Sequence, residues 1–298
     1  MNWRPSKTAP HELDFETADL VEQFHEACAR LQVRPITPDI NGGYSGRTAG
    51  ACVETADGRK LWLRVVGVAS LDNRLLKGDI AADRISGIPK PVLIEQSDWI
   101  HKNIHWRARL VTFAGAAVEV NPWAGPAAAA ITDEWIGELK QSLDRLAEQS
   151  SGQVHVSVDA LKKWLADSHQ IEHDFPQNDW RLSHNDLNWS NLCAPKLSIV
   201  DWEWHGLSPV GFDPGLLIAY SCMNEQLVHR LENAFAPFFE TFTGRAAQAF
   251  AVDQLRSATA SGWLDPQMLR PLDIMFERLN RQLLLTYHDM KKRSFAGA

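Results

Sequence analysis

The stretch from Ser183 to Glu203 constrains this chain more than any other. It reads Ser183-His184-Asn185-Asp186-Leu187-Asn188-Trp189-Ser190-Asn191-Leu192, a turn at Pro195-Lys196, then Leu197-Ser198-Ile199-Val200-Asp201-Trp202-Glu203. Two apolar runs on either side of a Pro-Lys turn predict a β-hairpin, with Leu192 and Cys193 leaving and Leu197 to Val200 returning. Pairing of these strands puts Asn191 and Asp201 at the same end, so distance in sequence becomes proximity in space. Asp186 precedes Asn191 by five residues, in the loop that enters the hairpin. An acid, an amide and a second carboxylate are thereby gathered in one place. A carboxylate in such a loop can accept or orient a proton, and an amide oxygen beside a carboxylate suits a hard divalent cation.

His184 two residues before Asp186, and Asn191 five after it, repeat the order of a kinase catalytic loop. In a chain with 11 His these three residues alone would be a modest signal, and the apolar strand ending on Asp201 makes it far more specific. Together the two segments resemble the signature of the aminoglycoside phosphotransferase and choline kinase family. Further on, Gly211-Phe212-Asp213-Pro214-Gly215 is similar to that family's segment with a buried Asp.

The resemblance implies an α+β, bilobal protein-kinase-like fold. Residues 1–121 would form a small nucleotide-binding lobe of antiparallel sheet plus helix, and residues 122–298 a mainly helical lobe for catalysis and acceptor binding. It implies ATP and Mg²⁺ as cofactors and a small hydroxyl-bearing acceptor as partner. Asp186 is then the catalytic base, and Asn191 and Asp201 hold the metal. His184 and Asp213 support the loop, Asp213 by hydrogen bonds to it. Trp189, Trp202, Glu203 and Trp204 lie close enough in sequence to line an acceptor pocket, with core packing expected for at least two of the three indoles. His205 reads as a solvated loop residue.

The element order before this region agrees. Thr17 to Gln32 has apolar residues at helical spacing, and Asp57-Gly58 between two β-prone runs predicts a hairpin whose second strand runs from Leu61 to Val66. Gly43 and Ser45, in a glycine-rich turn before that hairpin, are placed to approach nucleotide phosphates with their backbone. By the resemblance Arg64 stands where related kinases carry a phosphate-binding Lys, and a fork replaces a point charge. The helix expected over Asn73 to Ile85 contains no Glu to pair with it. Asp79 is the preferred partner, with Asp83 the other candidate. Arg107 to Phe113 and Ala116 to Val120 read as strands. The hinge after them would place Val120 and Asn121 near the adenine.

Beyond the hinge, helices are expected over Thr132 to Glu148, Val158 to Ala166, Leu216 to Cys222, Leu227 to Phe242 and Leu269 to Tyr287, with Gly244, Gly262 and Pro266 as punctuation. Four scattered cysteines without a CxxC pair argue against a disulfide framework or structural zinc, and a reducing cytoplasm is the expected home. The net charge of -7 disfavours nucleic acid as a partner. No apolar run reaches the ~18 residues of a membrane span. Oligomeric state leaves no mark on the sequence.

Two rival functions use the same residues. Arg64 and the missing helix Glu suit a nucleotide-binding pseudokinase. His184, Asp186, Asp201 and His205 suit a metal-dependent hydrolase with a mixed nitrogen and oxygen ligand set. The hydrolase leaves Asn191 and the strand order without a role.

Overall fold

The computed structural model describes residues 17–37, 39–42, 47–118, 131–150 and 153–296. Gly43, Ser45, Val120 and Asn121, together with the Ala-rich stretch 126–130, lie outside the described residues. The described chain divides into two compact units, residues 17–86 with Lys90–Gly115, and Gly87–Pro89 with residues 116–296.

In the first unit, α1 (Thr17–Arg30) buries Leu20, Phe24, Ala27 and Cys28 along one face, as their spacing predicts. The strands are β1 (Val33–Pro35), β2 (Asn41–Gly42), β3 (Thr48–Thr55) and β4 (Lys60–Val68), followed by α2 (Arg74–Ala82), β5 (Leu93–His101) and β6 (Ile104–Thr112). They make an antiparallel sheet in the order β1-β3-β4-β6-β5, with β2 beside β3. Asp57-Gly58 turns the β3–β4 hairpin, with Gly58 at φ +82, a left-handed angle that glycine adopts without a Cβ clash. The period of two decides the faces of β4. Leu61, Leu63 and Val65 join Ala51, Val53, Ala108, Leu110 and α1 in one core, each such Leu or Val contributing roughly 1.5–3 kcal/mol by leaving water. The other face carries Arg64, Val66 and Val68, and Leu76 of α2 packs on the two valines.

Two boundaries differ from the sequence pattern. The strand expected over Arg107 to Phe113 runs from Ile104 to Thr112, and its edge partner Leu93–His101 has no clear alternation to announce it. An edge strand packs on one side only, so its sequence is weakly constrained.

The second unit contains β7 (Ala116–Ala117), α3 (Asp133–Ala147), α4 (Val158–His169), β8 (Trp180–Ser183), β9 (Leu192–Ala194), β10 (Ser198–Ile199), β11 (Gly206–Pro209), α5 (Phe212–Tyr220), α6 (Glu225–Phe235), α7 (Phe242–Ala260) and α8 (Leu269–Ala296). Thr132 caps α3 by accepting from the Trp135 N–H, and Ser157 caps α4 by accepting from that of Ala160. β9 and β10 form the expected hairpin, in the register Ser198 with Cys193 and Ile199 with Leu192. β8 pairs with β11. No helix among the described residues is long and apolar enough to cross a membrane.

The helix expected over Leu227 to Phe242 stops early, and α7, over Phe242–Ala260, lies outside the expected helices. α6 ends at Phe235, and a short 3₁₀ segment carries Pro237, whose missing N–H interrupts the helical ladder. Gly244, expected as punctuation, instead sits in the first turn of α7. Close packing explains it, because a Cβ on Gly244 would overlap the carbonyl oxygen of Phe238, and one on Gly211 would come 3.0 Å from the Gly244 oxygen. A Cβ on Gly215 would likewise come 3.0 Å from Cα of Gln248. Gly211 and Gly215 let α5 lie tightly against α7, which fixes the start of α5 and the acid it carries, while Gly244 lets α7 meet the 3₁₀ segment before it.

The two helical glycines Gly244 and Gly137 should respond oppositely to the same substitution. Gly244→Ala is expected to lower the thermal midpoint by at least about 5 °C, through overpacking against backbone. Gly137→Ala, where nothing lies within 4 Å of the new Cβ, should raise it by roughly 1–3 °C through helix propensity. Parallel thermal melts of the two variants check both.

Candidate active site

The loop from Ser183 to Asn191 leaves β8 and enters the hairpin, and one side chain fixes its course. Asp213, the sole charged residue of the otherwise apolar α5, accepts the His184 N–H on Oδ2 at 2.6 Å and the Asn185 N–H on Oδ1 at 2.7 Å. Burial pushes this carboxyl up to about 6, although both backbone bonds favour its ionised form.

His184 is fully buried with its ring edge-on to Trp202. Its Nε2–H donates to the Val200 carbonyl at 2.8 Å, and Nδ1 accepts from the Asp186 N–H at 3.3 Å. A carbonyl can only accept and an amide N–H can only donate, so these partners select the neutral imidazole with its proton on Nε2. Burial depresses its pKa to about 4. His184 therefore ties the Asp186 backbone to the residue before Asp201.

Asp186 accepts from two amides, Asn188 Nδ2 on Oδ1 at 3.2 Å and Asn191 Nδ2 on Oδ2 at 3.0 Å. Burial and then the nearby charge of Glu203 push its pKa up to about 7, while the amide bonds pull the other way. A proton equilibrium near neutrality matches a group that exchanges protons at physiological pH. The same Asn191 amide donates to the Asp186 carbonyl at 2.8 Å. Across the hairpin end, the Val200 N–H donates to the Asn191 carbonyl at 2.9 Å, which brings the backbones of Asn191 and the Val200-Asp201 step together. Asp201 has φ +65 and ψ +61, a left-handed conformation costly for a side chain with a Cβ and found where a site constrains the chain.

Asn185 and Asn188 belong to the same network, and only their place inside the motif signals them. Asn185 also lies in the left-handed region, at φ +69. Its Nδ2 donates to the carbonyls of Ser183, Trp204 and Gly206 at 3.2, 3.1 and 3.1 Å, and its Oδ1 accepts from Ser208. The loop around Asp186 is thus stapled to the segment that follows Asp201. Asn188 caps the 3₁₀ turn Trp189–Asn191 by accepting from the Ser190 N–H at 3.0 Å.

Of the four motif residues named for an acceptor pocket, Trp189 is fully buried, stacks on Trp135 and donates to Ser221 Oγ at 3.0 Å, the core packing expected for at least two of the three indoles. Trp202 is also buried, its indole N–H donating to the Ile199 carbonyl at 2.7 Å. Trp204 is the partly exposed indole of the three, edge-on to His155. Glu203 is 6% exposed and acts on Asp186 through its charge. His205 is not solvated: it is 2% exposed and its Nδ1–H donates to the Trp202 carbonyl at 2.7 Å. His184 and His205 both face backbone carbonyls, and no group of three or more metal-ligating side chains occurs among the described residues. Both ring nitrogens of His184 are engaged by backbone groups, which counts against a hydrolase site that needs His184, Asp186, Asp201 and His205 on one metal.

In the first unit, Arg64 Nη1 lies 3.2 and 3.5 Å from the two carboxylate oxygens of Asp79, and both side chains are largely buried. Asp83, the other candidate, pairs with Arg109 instead.

No family model and no curated protein matches the sequence. Solved structures match along nearly the whole chain. An amicoumacin kinase, hAmiN, in complex with AMP-PNP, Ca²⁺ and Ami is similar at a TM-score of 0.54 and 11% identity, over 90% of this chain and 93% of that one. The aminoglycoside phosphotransferase APH(4)-Ia is similar at 0.54 and 14% identity, over 87% and 98%. A thermostable mutant of that enzyme, in ternary complex with ADP and hygromycin B, is similar at 0.52 and 12% identity, over 90% and 97%. The likeness establishes the fold. This chain has the α+β protein-kinase-like fold of the aminoglycoside phosphotransferases.

The hydrogen bonds of His184 make acid stability a readout of the loop. A group whose folded pKa lies below its unfolded value costs stability as pH falls, because the unfolded chain takes the proton first. The stability advantage of wild type over His184→Gln should therefore shrink by up to ~3 kcal/mol between pH 6.5 and 4. Asp186 and Asp213, with raised values, titrate in both proteins and cancel in the difference. Urea unfolding of the two proteins across this range measures it, and a difference independent of pH would contradict the neutral-imidazole assignment.

Proposed function

We propose that this chain is a phosphotransferase that moves the γ-phosphoryl group of ATP to a hydroxyl of a small-molecule acceptor. The observation that carries this reading is the anchored loop. Asp186 has an amide N–H on each carboxylate oxygen and lies beside a hairpin whose register sets Asn191 against Val200, the residue before Asp201. Solved structures of the same fold hold AMP-PNP or ADP, and one of them hygromycin B, which supports a nucleotide and a small acceptor here.

The donor set fits a magnesium ion. Asn191 directs its Nδ2 at Asp186, which leaves its amide oxygen for a cation, and Asp201 adds a carboxylate. One or two protein oxygens completed by phosphate oxygens and water is how Mg²⁺ is usually held with a nucleotide. When bound, the ion neutralises charge on the phosphate oxygens.

Asp186 orients the acceptor hydroxyl and takes its proton as the new oxygen–phosphorus bond forms and ADP leaves. Asn188 and Asn191 restrict its rotamer, His184 holds its backbone N–H, and Asp213 holds the two peptides before it. On the smaller unit, Arg64 is assigned to nucleotide phosphate, with Asp79 steering its guanidinium. An Arg already paired with a helix carboxylate favours an active enzyme over a pseudokinase, because the shorter Asp performs the pairing expected of Glu. Trp204 and Glu203 are the motif-proximal candidates for the acceptor side. The net charge of -7 suits a cationic acceptor, with aminoglycosides, choline-like amines, amino acids and sugars the classes to screen.

ATP consumption against a panel of hydroxyl-bearing metabolites and aminoglycosides tests the activity. With an acceptor in hand, Asp186→Asn should lower kcat by about 10²–10⁴-fold and leave MgATP affinity within about twofold. Full turnover in that variant would rule out Asp186 as the base.

A further inference from the structure

The pair Arg64–Asp79 has a neighbour of the same kind. Arg64 on β4 is the direct cross-strand partner of Arg109 on β6, so the two guanidinium groups rise from one face of the sheet. Directly opposed like charges on adjacent strands repel. α2 packs on that face, and Asp79 and Asp83 stand four residues apart on it, one turn along the same side. Each acid takes one arginine. Asp79 pairs with Arg64 at 3.2 Å, and Asp83 pairs with Arg109 at 2.5 Å. The result is a ladder of two ion pairs between helix and sheet.

Asp83 would be a poor choice here on local grounds. It is the C-cap of α2, where the negative end of the helix dipole disfavours a carboxylate. Cations on the sheet side compensate, since Asp83 faces both Arg109 and the half-buried Lys90. Arg109 is itself short of acceptors. It is 6% exposed, and its Nη1 has no hydrogen-bond partner among the described residues. Arg107, the next outward residue on β6, is already engaged by Asp98 of β5 at 2.6 and 3.0 Å. The next carboxylate on the same side of α2 is Asp79.

We propose that the Arg109–Asp83 pair reserves Asp79 for Arg64. Without Asp83, Arg109 turns to Asp79 and leaves Arg64 without its guide. Arg109 and Asp83 are thus positioning residues for the phosphate contact, an inference that rests on the assignment of Arg64 to nucleotide phosphate. Two arginines side by side on a sheet need a carboxylate each, and Asp79 and Asp83 supply them one turn apart.

Calorimetric binding of MgATP to the full chain tests this. Asp83→Asn is expected to weaken binding about five- to tenfold, by leaving Arg109 uncompensated beside Arg64. Asp83→Asn combined with Arg109→Met removes the competitor together with its acid, and should recover affinity to within about twofold of wild type. Asp83→Glu, which keeps a carboxylate for Arg109, should bind as wild type does. If the pair only anchors α2, the double variant binds no better than the single one, and the proposal is overturned. Unchanged affinity in Asp83→Asn, or lost affinity in Asp83→Glu, overturns it equally. Arg64→Gln and Asp79→Asn separate the two readings. If both bind MgATP like wild type, the phosphate assignment of Arg64 fails. If both weaken while Asp83→Asn does not, only the reserving role of the second pair fails.

Discussion

The larger unit depends on one carboxylate accepting two consecutive backbone N–H groups. Asp213 bonds His184 and Asn185 together, and a loop gripped at adjacent peptides has little freedom left in the residue that follows. That residue is Asp186. The grip is only as good as the placement of α5, which comes from packing: Gly211 and Gly215 allow α5 to approach α7 more closely than side chains would permit. The chain of cause runs from missing Cβ atoms, through a helix contact, to the orientation of a polar loop. Local strain accompanies it, since Asn185 and Asp201 both hold left-handed backbone conformations.

The same loop concentrates buried ionisable groups whose neutral forms burial favours. Asp186 and Asp213 are pushed up and His184 is pushed down, and in each case desolvation is the largest cause. Such groups cost folding energy, and backbone partners offset part of that cost. Each of the three is hydrogen-bonded, two of them directly to peptide groups of the loop. Stability and chemistry draw on the same bonds here. On the smaller unit the balance is struck between charges instead, with three arginines of the β4–β6 region each matched by its own aspartate.

Much of the site was legible because it is local. The spacing from His184 to Asn191, the Pro-Lys turn and the apolar strand before Asp201 are all contained in a hairpin and its entry loop, and the pairing register follows from them. The pairing of Arg64 with a helix carboxylate was implied by the family resemblance, and since Asp79 and Asp83 lie one turn apart on the same side, spacing alone did not choose between them. Side-chain fate was harder to read. His205 lies in a segment that reads as a solvated loop, yet it points inward, because burial depends on how the 3₁₀ turn after Asp201 packs. The role of Gly244 escaped for the same cause, as its close neighbour comes from packing, whereas the break at Pro237 is a local signal that the helical spacing overran.

By itself the sequence determined the hairpin that brings Asn191 toward Asp201, and which residues of the loop have the chemistry for proton transfer and cation binding. Those properties depend on residue type and short-range periodicity. Tertiary structure alone decided that Asp213 reaches back 29 residues to the loop, that Asn185 staples two segments together, and that Arg109 rather than Arg64 takes Asp83. Each of these rests on which groups share a buried volume, where every polar atom must find a partner, and that competition is settled only when all the elements are packed.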